Sequence, residues 1–215
     1  MLLQQVSADP TNPQSAKTVR EIVSAAKRNG SRVPNETVKY AGDKFIAASE
    51  FHPAAWDAVT SLLNYCSSLR TDLIPPDLDK AKPVSDGKWD VDVGEAIQQK
   101  DEVNLQFIGF APADQAAKGE HIGKPITNVG ESVGFSRVIV KSGRGTIIKL
   151  DEHRLKNITY IGLVIRYDGG PLVLENVSFI DCEFQLNNNQ KTREFGGAVF
   201  AYMPVSFTSK AEKHS

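Results

Sequence analysis

The stretch Leu155-Lys156-Asn157-Ile158-Thr159-Tyr160-Ile161 returns nineteen residues later as Leu174-Glu175-Asn176-Val177-Ser178-Phe179-Ile180. The correspondence continues, with Leu163, Ile165 and Tyr167 falling on Cys182, Phe184 and Leu186. A repeat of this length is about one turn of a β-solenoid, where each turn buries its apolar side against its neighbours. Stacked at a strand spacing of about 4.8 Å, the copies make consistent pairs. Asn157 lies under Asn176 as an amide ladder, Lys156 faces Glu175, Thr159 sits beside Ser178, and Tyr160 stacks on Phe179. Tyr167 covers Leu186. With Ile158 and Tyr160 pointing inward, alternation turns Ile161 outward, and Ile180 with it. Stacked outward isoleucines need a cover, either another part of the chain or a partner. Ile161, Ile180 and Val164 are therefore the candidate interface residues.

The repeat does not extend cleanly. Nineteen residues beyond Leu174 stands Arg193, and nineteen before Leu155 stands Ser136. Two clear copies with irregular flanks are too few to be stable alone. They must be capped by the rest of the chain or stack on another copy.

Inside each copy the apolar residues also keep a spacing of five: Leu155, Tyr160, Ile165, then Leu174, Phe179, Phe184. Further apolar residues stand two positions before several of them, at Ile158, Leu163, Val177 and Cys182. Residues 155–186 thereby resemble a degenerate pentapeptide-repeat pattern, in which leucine or phenylalanine fills the axis of a right-handed β-helix. The run Phe179-Ile180-Asp181-Cys182-Glu183-Phe184 is also similar to short bacterial β-helix proteins. The match departs from the family in its period of nineteen rather than twenty, and in lacking Ala-Asp or Ala-Asn before the central residue. The resemblance implies a short right-handed parallel β-helix and carries no activity with it. Topoisomerase-inhibiting members of the family are strongly acidic rods, whereas residues 141–190 hold six acidic and six basic side chains.

Upstream, the pattern is helical. Asn12-Pro13 reads as a cap and first-turn proline, followed by Val19, Ile22, Val23 and Ala26 at helical spacing and a stop at Asn29-Gly30. Asn35 opens a second helix with Val38, Ala41, Phe45 and Ala48 on one side. Pro53 opens a third, striped by Trp56, Val59, Leu62, Leu63, Cys66 and Leu69. Pro75-Pro76, Pro83 and six aspartates between Asp72 and Asp92 then mark an acidic, proline-rich connector. No EF-hand loop spacing is present among those aspartates. Alternation at Val103, Leu105 and Phe107 reads as a strand, and Val138–Val140 and Ile147–Ile148 as two strands joined by a turn at Ser142-Gly143-Arg144-Gly145.

The organisation expected is α+β: a helical segment over 1–70, a connector over 71–100, a β domain over 101–204, and a flexible tail over 205–215. The 215 residues carry a formal charge of −1 and 40% hydrophobic side chains, which gives no general pull toward nucleic acid or anionic membrane. No apolar run reaches the ~20 residues of a membrane span. Cys66 and Cys182 read as reduced thiols of a cytoplasmic protein.

Motifs of known chemistry are absent. There is no Walker loop, dinucleotide fingerprint or nucleophile elbow. The four histidines, His52, His121, His153 and His214, keep no metal-ligand spacing, and no cofactor is implied. The best acid–base cluster is Asp151, His153 and Arg154, near the coil that bears Arg166; these are the candidate catalytic residues. The function expected is a non-enzymatic protein–protein interaction or assembly module, homo-oligomeric and using a β-helix face. The alternative is a small-ligand sensor, or an enzyme acting on carbohydrate or nucleotide at that polar turn.

Overall fold

The computed structural model describes residues 2–74, 96–97, 106–110, 137–141, 147–201 and 203–210. Most of the connector and of the segment before residue 137 therefore lies outside the described residues, as do the aspartate run from Asp77, the strand positions Val103 and Leu105, and the turn at 142–146.

Helix α1 spans Leu2–Val6. Helix α2 runs Pro13–Arg28, and the Asn12 side chain accepts from the Gln14 amide at 2.9 Å. Its stop is Gly30 at φ +63°, a conformation that costs glycine little. Helix α3 follows at Asn35–Ser49 and α4 at Pro53–Ser68. Each buries one stripe: Val19 and Val23 on α2, Val38, Ala41 and Phe45 on α3, and Val59, Leu62 and Leu63 on α4. A 3-10 turn, Arg70–Leu73, ends the helical part.

The strands are β1 (Ala96–Ile97), β2 (Gln106–Phe110), β3 (Arg137–Lys141), β4 (Ile147–Lys149), β5 (His153–Lys156), β6 (Ile158–Ile161), β7 (Val164–Tyr167), β8 (Leu172–Ile180), β9 (Glu183–Leu186) and β10 (Val205–Ser209). Helix α5, Gln190–Ala201, lies between β9 and β10. The protein is α+β, with five α-helices and two mixed sheets among the described residues. One sheet has the order β1-β4-β7-β9; the other has the order β10-β8-β6-β3-β2, with β5 paired to β8.

The nineteen-residue period is a pairing register. His153 lies opposite Leu172, Thr159 opposite Ser178, and Val164 opposite Glu183, all in parallel ladders. The register becomes Val138 opposite Ile158 and Ile147 opposite Val164 one layer earlier, which is why no clean copy precedes Leu155. β3 and β4 do not form the expected hairpin; they pair in different sheets, with β6 and β7.

Side-chain ladders follow this register. The Tyr160 and Phe179 rings stack with centroids 5.7 Å apart and planes 9° from parallel. Asn176 Nδ2 donates to Asn157 Oδ1 at 2.8 Å, and Lys156 Nζ meets Glu175 Oε2 at 3.1 Å. Corners repeat as well. Asn157 and Asn176 adopt φ +56° and +57°, and Gly162 and Asp181 adopt +69° and +48°. Asn, Asp and Gly are the residues that tolerate this left-handed region.

The same chain closes the stack. β10 pairs antiparallel with β8, β2 with β3, and β1 with β4. Residues 205–209, expected in a flexible tail, are thus a strand. Val205 is fully buried and Phe207 packs edge-on against Phe195. The stretch 190–201, expected inside the β domain, is helical because Phe195, Val199 and Phe200 fall on one side. Phe195 meets Tyr167, Phe179 and Phe184 with centroids 5.3–6.2 Å away, so α5 plugs the end of the stack with an aromatic cluster. At Gly42 of α3 a Cβ would lie 2.5 Å from the Phe200 ring; only glycine lets α3 and α5 approach this closely. Helical and strand residues share one hydrophobic cluster.

Candidate functional site

Asp151 follows β4 and is 8% exposed. Its Oδ1 accepts from Gly170 N at 2.6 Å and its Oδ2 from Asp168 N at 3.0 Å. The carboxylate thus gathers the backbone donors of the turn after β7. A Cβ at Gly170 would sit 2.7 Å from Asp151 Oδ1, so the carboxylate and the glycine require each other. The turn is held from three more sides. Glu152 N donates to Pro171 O at 2.6 Å, Tyr167 donates to Gly170 O at 2.8 Å, and Asn189 Nδ2 donates to Asp168 O at 2.8 Å. Burial raises the Tyr167 phenol above its ordinary pKa, so it remains a donor here.

The other candidates turn to separate partners. His153 Nδ1 lies 2.6 Å from the Asp151 carbonyl; a carbonyl partner assigns the proton to that nitrogen. Arg154 Nη2 pairs with Glu175 at 3.2 Å. Hydrogen bonds from Lys156 first, and Arg154 second, hold Glu175 below the usual carboxylate range. Arg166 Nε pairs with Asp168 Oδ2 at 3.1 Å, while Asn187 Nδ2 donates to Asp168 Oδ1 at 2.7 Å. Asp151 and Arg166 are therefore brought to the same residue, Asp168, one at its backbone and the other at its carboxylate. Arg154 is bound to Glu175 instead.

Arg166 lines a groove of about 480 Å³ whose other walls include Arg20, Trp56, Asp57 and Gln185. Among the described residues, no group of three or more His, Cys, Asp or Glu side chains is placed to hold a metal ion. Cys66 and Cys182 are free thiols. Burial pushes both up in pKa, Cys182 to about 12, which leaves them protonated and poorly nucleophilic at neutral pH.

The interface candidates are covered by the chain itself. Ile180 is fully buried, and Ile161 and Val164 are 8% and 7% exposed. Ile161 and Ile180 lie outside the main hydrophobic cluster, and the cover that an outward pair needs is supplied within the chain. Large apolar side chains are exposed instead on the helical part, at Leu2, Tyr40 and Phe51.

Two sets of residues carry weight that the sequence reading did not give them. On α4, Asn64 Oδ1 accepts from Phe184 N at 2.7 Å, and Ser67 Oγ accepts from Cys182 N at 2.8 Å while donating to Phe179 O at 3.0 Å. The Asn187-Asn188-Asn189 run ties the β9 exit to Asp168 and to Ser49 O, and Asn189 Oδ1 caps α5 through Thr192 N at 3.0 Å. An asparagine three residues before a threonine at a new apolar periodicity was the available signal for that cap. No helix among the described residues is long and apolar enough to cross a membrane. No family model, curated protein or solved structure matches this chain.

Proposed function

We propose that the chain is a non-enzymatic assembly module: a short right-handed β-helix, capped by its own helices, that works through protein–protein contact. The nineteen-residue parallel register and the matched left-handed corners support the β-helix part of this reading. The non-enzymatic part rests on how the polar cluster is used. Asp151 accepts two backbone N–H groups in a buried turn, and Arg154 and Arg166 are each bound to a carboxylate. Those side chains hold corners of the fold.

The observation that carries the contact surface is Phe51, 77% exposed, with Tyr40 at 43%. Tyr40 stands on α3 and Phe51 in the turn that follows it. Lys44 Nζ lies 5.7 Å from the Tyr40 ring centroid. A phenylalanine this exposed gains by burial against another surface. The partner we assign is a second copy, because a formal charge of −1 offers little repulsion between copies. Protonated thiols at Cys66 and Cys182 fit a reducing, cytoplasmic setting.

Light scattering after size exclusion tests this. The native chain should run above its monomer mass of 23.5 kDa. The double substitution Tyr40→Ser, Phe51→Ser should return it to monomer with unchanged circular dichroism. A native chain that is monomeric at every concentration sinks the self-assembly reading.

A further inference from the structure

The groove between α4 and the β7–β9 edge holds side-chain donors left without a hydrogen-bond partner among the described residues. Asp168 accepts from Arg166 Nε at one carboxylate oxygen and from Asn187 Nδ2 at the other. That arrangement fixes the Arg166 guanidinium and leaves its two terminal nitrogens without a hydrogen-bond partner among the described residues. Arg20 meets Asp57 only at 4.0 Å, at the outer limit of an ion pair, and is half exposed. Gln185, the register partner of Arg166, adds an exposed amide. The hydroxyls of Thr60 and Ser61 donate to Trp56 O and Asp57 O at 3.1 and 2.7 Å, so they offer the groove lone pairs only.

Two guanidiniums and an amide line this groove with two carboxylates, Asp168 bonded at both oxygens and Asp57 held only by the long contact to Arg20. A groove of about 480 Å³ has the size of a small-molecule site. One guanidinium is held rigid and the other can adapt, which suits a planar or tetrahedral oxyanion gripped from two sides. We propose that this groove binds a small oxyanion-bearing ligand, a carboxylate or a phosphate, between Arg20 and Arg166. Neither Tyr40 nor Phe51 lines this groove, so self-association and anion binding can each fail without the other.

The Trp56 indole, which donates to Leu186 O at 2.8 Å on the groove wall, is the reporter. Its ¹⁵N–¹H signal is assigned through Trp56→Phe and followed while full-length protein is titrated with inorganic phosphate or, separately, succinate. Sodium chloride at matched ionic strength is the control. The expected result is a saturable shift with one or both probes, at millimolar or tighter affinity. Arg20→Gln and Arg166→Gln should each weaken it about tenfold or more, while Arg154→Gln leaves it unchanged. Saturation by phosphate alone or succinate alone identifies which source the groove prefers. No saturable shift beyond the sodium chloride control, or binding that survives both arginine substitutions, overturns the proposal.

Discussion

At the level of single residues, the two repeat copies differ most tellingly at Tyr160 and Phe179. They occupy equivalent places and stack on each other, but Tyr160 carries a hydroxyl that is fully buried with no hydrogen-bond partner among the described residues. Burial, and then the nearby Cys182 thiol, raise that phenol far above its ordinary pKa. A buried unpaired hydroxyl costs about 1–3 kcal/mol. Tyr160→Phe should therefore raise the unfolding free energy by about 1 kcal/mol or more, read from the urea midpoint at constant slope; a fall in stability would show that the hydroxyl has a partner after all. The Asn157–Asn176 ladder could be read from the sequence because both copies hold asparagine at one position. The state of Ile161 and Ile180 could not. Alternation says which side of a strand a residue takes, not what lies over that side. Asp151 misled for a related reason: beside His153 and Arg154 it looks like acid–base chemistry, and its true partners are backbone amides at Asp168 and Gly170.

Among the elements, α4 does two jobs. Its apolar stripe, which the sequence revealed, packs among the helices. The indole N–H of Trp56 and the side chains of Asn64 and Ser67 satisfy the outer edge of the strand stack, at Leu186 O, Phe184 N, Cys182 N and Phe179 O. A bare strand edge is an invitation to unwanted pairing, and a helix with hydrogen-bonding side chains covers it. These partners lie more than a hundred residues away in the chain, so no local spacing announces them. Asn64→Ala should leave Phe184 N–H buried and unpaired, costing about 1–3 kcal/mol. Amide exchange at Phe184 should speed up in that variant, while Gly162 N, bonded to Ile180 O at 3.0 Å, keeps its protection. Unchanged exchange at Phe184 would mean that α4 does not cap this strand.

For the whole molecule, the shortness of the repeat already implied closure, since two copies cannot stand by themselves. Which pieces provide it was hidden, because the closing elements do not share the repeat. α5 presents Phe195 to the aromatic cluster, and β10 runs antiparallel against a strand whose other neighbours are parallel. β10 is short, and it follows a helix, so its Val205-Ser206-Phe207-Thr208-Ser209 alternation reads easily as a frayed end. Two truncations separate these descriptions. Removing residues 210–215 leaves the β10–β8 ladder whole, and the midpoint of thermal unfolding should not move. Removing residues 205–215 strips Val205 and Phe207 from the core and bares the β8 edge from Leu172 to Val177. Loss of those two side chains alone should cost about 3–5 kcal/mol, a large part of a typical domain's stability. The exposed edge should also make the shorter chain aggregate on heating. Equal stability in the two truncated chains would return residues 205–209 to the status of a tail and leave the strand stack closed at that end by α4 and α5 alone.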